Sequence, residues 1–291
     1  MNVIEGGVFI MDYIEGFKIW LMEKGKSDNT ISCYLRDVKQ FRGYASIYGF
    51  DGVCDVPQIF LQHFKKFQKG TEAAINTINR RIASINTFYK YLYKSGFIDE
   101  ELKIEPYRDK NVKEYKGLTE QELWKLRSEI HKSKNKMHIC IFEILINTGI
   151  RVSELVGIKI SDIKISQRKG SLTVIGKGEA VRTIPLNKTA RNVVTEYLKV
   201  RRNDQSEYLF IGQRGKLERN AVNLILEKYG DRVGIKVNPH MLRHTLGYNL
   251  IKQGTLITTI QQILGHENIQ TTNRYTLTVE MDMREALEGM E

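Results

Sequence analysis

Asn238-Pro239-His240-Met241-Leu242-Arg243 opens a helix by its own chemistry. Asparagine suits an N-cap and proline the first helical position, so His240 and Arg243 share a face within the first turn. There the free backbone N–H groups and the positive end of the helix dipole favour an anion, and a phosphate has a physical reason to dock. A histidine alone at a helix start reads as a polar surface residue. Beside an arginine at the same terminus it reads as half of an anion site.

Upstream, a buried helix over residues 137–147 closes at Gly149, and Arg151-Val152-Ser153-Glu154-Leu155 follows. Glu154 stands about one turn from Arg151, where it either aims the guanidinium or forms an ordinary surface ion pair. Between these two stretches, Ser171-Leu172-Thr173-Val174-Ile175 and Val181-Arg182-Thr183-Ile184 are joined through Gly176-Lys177-Gly178-Glu179. That is a hairpin signature with Lys177 at its tip. Downstream, Leu264-Gly265-His266 ends a helix, and Tyr275 lies in Thr271-Thr272-Asn273-Arg274-Tyr275-Thr276. So polar a setting is poor for burying a ring and suits the presentation of a phenol oxygen. Thr119-Glu120-Gln121-Glu122 is a capping box, and helical patterns cover 189–201, 221–229, 241–252 and 257–264. This half therefore reads as mainly helical with one small antiparallel sheet.

Residues up to about 100 read as consecutive amphipathic helices with no alternating strand. The first covers 11–23 and stops at Gly25. The second is capped by Ser27-Asp28-Asn29 and carries Ile31, Tyr34, Leu35, Val38, Phe41 and Tyr44 at three- and four-residue steps. A third runs over 57–67. A fourth follows Thr71 with Ile75, Ile78, Ile82, Ile85, Tyr89 and Leu92 on one stripe and Asn79, Arg80, Arg81 and Lys90 on the other face. Arg80 and Arg81 are either a solvated helix face or phosphate contacts. Residues 101–117 lack periodicity and are expected to be a linker, dividing a domain over 1–100 from one over 118–291.

With 291 residues, 41% hydrophobic and 27% charged, the chain is long enough for two domains, and its composition is neither disordered nor membrane-spanning. No apolar run approaches a membrane helix, and no secretory signal is evident, which points to the cytoplasm. Cys33, Cys54 and Cys140 have neither disulfide nor zinc-site spacing. Lysine and arginine total 45 against 34 acidic residues, a net +11 that suggests a polyanionic partner. Residues 1–115 carry only +2 of it and 116–291 carry +9. His63, His131 and His138 show no evident partner and count as surface or packing residues.

Taken in order, Arg151, Lys177, His240 with Arg243, His266 and Tyr275 resemble the signature of the tyrosine recombinase (phage integrase) family, in its compact Xer-like form. Two departures stand nearby: Glu267-Asn268 follows His266 where small hydroxyl residues are more familiar, and Leu246-Gly247-Tyr248 replaces a small-residue run. The resemblance implies a mainly α fold. An N-terminal helical, SAM-like core-binding domain would precede a C-terminal α+β catalytic domain with a small antiparallel sheet. It further implies that Arg151 and Arg243 clamp a phosphodiester, that His240 and His266 add hydrogen bonds, and that Lys177 protonates the leaving 5′ oxygen. Tyr275 would be the nucleophile that forms a 3′-phosphotyrosyl link, with Glu154 and His244 in support. No cofactor or metal is implied.

The expected partner is double-stranded DNA with inverted-repeat core sites, bound by a homotetramer, with no membrane. Val279, Met283, Ala286, Leu287 and Met290 recur at helical spacing and would form the segment exchanged between neighbours. Integration, excision and resolution all remain open, and with them chromosome-dimer resolution or service to a mobile element. A type IB topoisomerase-like enzyme and a catalytically silent DNA-binding regulator are the alternatives.

Overall fold

The computed structural model of the chain describes residues 13–108, 117–176, 180–202 and 205–265, together with the backbone of 3–5 and 8–10. The chain divides into two compact units, Met1–Val112 and Lys113–Glu291. Lys177, His266, Tyr275 and the terminal apolar stripe lie outside the described residues.

In the first unit, four helices follow a short hairpin: α1 (Tyr13–Glu23), α2 (Asp28–Ile47), α3 (Gln58–Lys69) and α4 (Ile75–Lys94). Gly25 takes φ +64° just after α1, and Ser27 caps α2 by accepting from the Thr30 N–H. The apolar stripes meet in one core around Phe17, Phe41, Phe64, Ile82, Phe88 and Leu92. Of the stripe read along α4, only Ile75 is exposed, at 42%. The hairpin, β1 (Val3–Glu5) and β2 (Val8–Ile10), pairs antiparallel with Ile4 opposite Phe9. It corrects the expectation of a strand-free N-terminal half. The local signal was Gly6-Gly7 between β-branched and aromatic residues, a two-residue connection too short to show in a helical-period search.

Residues 101–108, expected to begin a linker, are bound to this unit by three side-chain amides. Asn86 donates to the Ile104 carbonyl and accepts from its N–H, both at 2.8 Å. Asn79 does the same for Tyr107 at 2.9 and 2.8 Å, and Gln58 for Lys103 at 2.6 and 3.2 Å. Each amide stands in for a neighbouring strand, satisfying both backbone groups of one residue. Ile104 is fully buried, and Tyr107 donates to the Lys65 carbonyl while the Lys65 ammonium sits 4.5 Å from its ring centroid. The sequence showed only an aperiodic stretch with a proline, because the pairing partners are side chains elsewhere.

The second unit begins with α5 (Glu120–Lys132), where the Thr119/Glu122 capping box is present. Then comes α6 (Lys136–Thr148), buried on nearly every side and ended by Gly149 at φ +62°. After α7 (Val152–Gly157), a three-stranded antiparallel sheet forms in the order β3 (Ile163–Ile165), β4 (Gly170–Ile175), β5 (Val181–Pro185). Then follow α8 (Lys188–Val200), a two-residue hairpin β6 (Ile211–Gly212) with β7 (Gly215–Lys216), α9 (Arg219–Val233), α10 (Pro239–Lys252) and α11 (Ile257–Leu264). The β4–β5 hairpin was legible in the sequence. β3, β6 and β7 were not, since two or three residues hold no period.

The three histidines counted as partnerless all have partners, a second correction. His131 meets buried Glu143 at 2.9 Å beside Arg127, His138 meets the Tyr229 hydroxyl at 2.8 Å, and His63 meets that of Tyr44 at 3.0 Å. Each pairing crosses between helices, which sequence spacing cannot show.

If residues 101–108 belong to the first unit's core, Ile104→Ala should cost about 2–5 kcal/mol. Lys103→Ala, exposed one residue away, should stay within about 0.5 kcal/mol. Each unit holds one tryptophan, Trp20 and Trp124, and Trp124 is 69% exposed. In a Trp124→Phe background, urea unfolding followed through Trp20 therefore reads the first unit. Equal midpoints for the two variants would contradict the docking.

Candidate active site

Two left-handed glycines bring distant segments of the second unit together. Gly149 ends α6, and a Cβ there would lie 2.6 Å from Leu264 and 2.9 Å from Leu246. Gly265 ends α11 at φ +63°, and a Cβ there would lie 2.8 Å from the Cζ of Arg182. Only glycine tolerates both this backbone conformation and these approaches. Arg243 on α10, 2% exposed, donates to the Gly149 carbonyl at 2.5 Å. Arg151 donates to the Gly265 carbonyl at 2.9 Å. The two arginines are thus each anchored at the end of a different helix, and those ends pack on one another.

Arg151 is the N-cap residue of α7, and its backbone N–H donates to the Glu154 carboxylate at 2.8 Å while its guanidinium reaches the other oxygen at 3.1 Å. Glu154 is buried and also receives both terminal nitrogens of Arg182, at 2.9 and 2.8 Å. Burial acts to raise its pKa. The Arg182 hydrogen bonds, the Arg151 backbone N–H and the two positive charges outweigh that and hold the carboxyl below its ordinary value. Sequence reading missed Arg182. A signal existed, because along β5 it shares a face with buried Ile184, and a charged residue at an inward position needs an ionic partner.

Asn238 caps α10 by accepting from the Met241 N–H at 2.9 Å, with Pro239 at the start of the helix as read from the sequence. The His240 and His244 rings lie edge to face, 4.2 Å between centroids. One edge of His240 reaches solvent, yet the protein around it desolvates the ring. That desolvation, followed by the charges of Arg243 and Arg151, lowers its pKa and leaves the imidazole neutral near pH 7. The structure therefore brings Arg151, Glu154, His240, Arg243 and His244 to one place, with Arg182 added.

Lys177 and His266 follow directly on Gly176 and Gly265 in sequence. Gly176 donates to the Ala180 carbonyl at 2.8 Å, and a Cβ on it would lie 3.6 Å from both Glu154 and Arg182. The described chain on either side of the hairpin tip, and the chain leading to His266, thus both start from the Glu154–Arg182 pair. In the first unit, Arg80 pairs with buried Asp37, which also accepts from Ser84 at 2.7 Å, and Arg81 donates to Gln68 at 2.6 Å. Among the described residues no cluster of histidine, cysteine and carboxylate side chains suits a metal ion.

Residues 116–280 match the model of the phage integrase family, and residues 14–96 match that of the phage integrase N-terminal SAM-like domain. The tyrosine recombinase XerA of Pyrococcus horikoshii is 33% identical over 95% of this chain and 93% of its own length. The tyrosine recombinase XerD of Listeria monocytogenes is 31% identical over 94% and 96%. Among solved structures, the XerH site-specific recombinase bound to a palindromic difH substrate superposes with a TM-score of 0.75 at 19% identity, covering 94% of each chain. The Tn1549 transposon integrase in complex with transposon right end DNA gives 0.72 at 19%, covering 94% of this chain and 99% of that one. At these identities the two structures share the fold, helical with small antiparallel sheets.

The lowered His240 pKa yields a direct expectation. In NMR titrations of the free protein its ring should titrate below the ordinary 6.5. Arg151→Gln removes a positive charge that opposes protonation, so the same ring should titrate higher in that variant. A wild-type value at or above 6.5 would contradict this account of the pocket.

Proposed function

The chain belongs to the phage integrase family of tyrosine recombinases, and from that premise we propose how it acts as a site-specific DNA recombinase, a DNA strand transferase. The observation that carries the proposal is the joint anchoring of Arg151 and Arg243 on the Gly265 and Gly149 carbonyls, with His240 beside them, its pKa held down by desolvation and by their charges. Two fixed guanidiniums and an imidazole N–H suit a phosphodiester. Attack builds a second negative charge on its non-bridging oxygens, and planar paired donors match those oxygens. Removing one such preorganised donor costs on the order of 10²–10³ in rate.

In this reading the Tyr275 phenol oxygen attacks phosphorus, the bond to the 5′ oxygen breaks, and Lys177 delivers the proton that oxygen needs. The 3′-phosphotyrosyl link conserves the energy of the broken bond until a 5′ hydroxyl attacks it. His266 adds a hydrogen bond, Glu154 orients Arg151, and His244 supports His240. Charge is supplied by the arginines, so the chemistry calls for no metal and no other cofactor.

The partner proposed is double-stranded DNA carrying inverted-repeat core sites, engaged by residues 1–100 as core-binding domain and 118–291 as catalytic domain, with the link between them inside 101–117. Arg80 and Arg81 remain candidate phosphate contacts, with the donors that Asp37 and Gln68 leave over. A homotetramer on paired DNA, exchanging the segment after Tyr275, would couple the sites. The cytoplasm, where such a DNA partner lies, is the proposed location; no helix among the described residues is long and apolar enough to cross a membrane. Its match to Xer recombinases along nearly their whole length favours recombination between core sites. Neither the topoisomerase-like nor the silent-regulator alternative gains support from these relatives.

Tyr275→Phe should bind DNA like the wild type and form no covalent adduct, because it removes only the phenol oxygen. A denaturation-resistant adduct from this variant on a nicked duplex would contradict the nucleophile. Lys177→Ala should cleave slowly and recover on DNA with a 5′-bridging sulfur, a leaving group that needs little protonation. Arg151→Ala should recover far less. Equal recovery of both would remove Lys177 from proton donation.

A further inference from the structure

Arg151 has two anchors among the described residues, and one unassigned side chain fixes both. Its guanidinium bonds Glu154 at 3.1 Å and the Gly265 carbonyl at 2.9 Å. Arg182 grips the same Glu154 carboxylate with both terminal nitrogens, at 2.9 and 2.8 Å. Its guanidinium also lies against Gly265, so close that a Cβ there would stand 2.8–2.9 Å from three of its atoms. The Arg182 side chain is only 18% exposed, and its Nε is buried with no hydrogen-bond partner among the described residues. Both its terminal nitrogens bond Glu154, so its charge is committed to that carboxylate.

We propose that Arg182 is a positioning residue for the strand-transfer reaction: it presents Arg151 to the scissile phosphate by locking Glu154 and the Gly265 turn. The inference rests on the reading of Arg151 as a phosphate clamp. Without Arg182, the Glu154 carboxylate has one cation left and draws the Arg151 guanidinium fully onto itself. The Gly265 turn also loses the flat surface beneath it. Arg151 then keeps its charge but loses its aim, and misplacement by about 1 Å costs on the order of 10²-fold in rate. Lysine cannot substitute, because a single ammonium neither forks over a carboxylate nor lies flat under a glycine.

The test compares Arg182→Met, Arg182→Lys, Glu154→Gln and the double variant Arg182→Met/Glu154→Gln in the full chain. The substrate is a nicked duplex selected from random sequence by the wild-type protein. Each variant is read for adduct formation in a single turnover, for DNA affinity and for Tm. Removing one partner strands a buried charge, whereas removing both does not, so the double variant should melt closer to the wild type than either single. It should still cleave about 10²-fold slowly, because Arg151 stays unaimed. Arg182→Lys should cleave nearly as slowly as Arg182→Met, with affinity changed only severalfold.

Recovery of rate together with Tm in the double variant, or wild-type cleavage by Arg182→Lys, would overturn the proposal and leave Arg182 a merely structural residue. Absence of any adduct from the wild type would instead overturn the recombinase reading. The positioning is then read without DNA. The Arg151 side-chain N–H resonances should shift between the wild type and Arg182→Met, as the guanidinium leaves the Gly265 carbonyl for Glu154, and resonances unchanged by that substitution would contradict the proposal.

Discussion

Glu154 is a carboxylate taken out of water, and the second unit's chemistry is arranged around the cost of that. Unpaired, such a charge would not persist. It would protonate or unfold its surroundings. Two arginines and a backbone N–H keep it ionised, and because they arrive from α7 and β5, satisfying one charge fixes the relation between helix and sheet. Breaking a buried pair of this kind from one side costs about 3–5 kcal/mol, more than most single apolar contacts. The carboxylate therefore disciplines geometry rather than adding stability, since a hydrophobic replacement of the whole group could be as stable.

Around this charge the apolar framework has a narrower task. Helix α6, buried nearly throughout, cannot shift without opening the core, so its left-handed end at Gly149 is a fixed point. Leu246 and Leu264 close over that glycine, which sets α10 and α11 against the same spot. Hydrophobic packing thus places the backbone carbonyls, the carbonyls place the guanidiniums, and the carboxylate removes what freedom is left.

What the sequence made legible follows from range. Ser27, Thr119 and Asn238 announce helix starts through contacts three residues away, and all three caps form. Gly149 and Gly265 announce helix ends in the same local way. Arg151, His240 and Arg243 were legible as a set only because a family motif preserves their order, and the structure brings them together. Arg182 carries no local signal except an inward strand position, and its partners lie 28 residues upstream and at Gly265. The β1–β2 hairpin and β3 were missed because a strand of three residues has no period to detect. The histidine partners were missed because each lies on another helix.

The three amides on residues 103–107 have a consequence of a different kind. Gln58, Asn86 and Asn79 grip only main-chain groups, and Pro106, which has no N–H to offer, sits where no amide is required. Such a clasp is blind to most side chains. It reads spacing: one amide for residue 103, one for 104, and the next for 107. Replacements at 105 and 106 leave it intact, whereas gaining or losing a single residue between 104 and 107 would put a carbonyl where an N–H is needed. In this stretch the chain tolerates changes of letter and forbids changes of length.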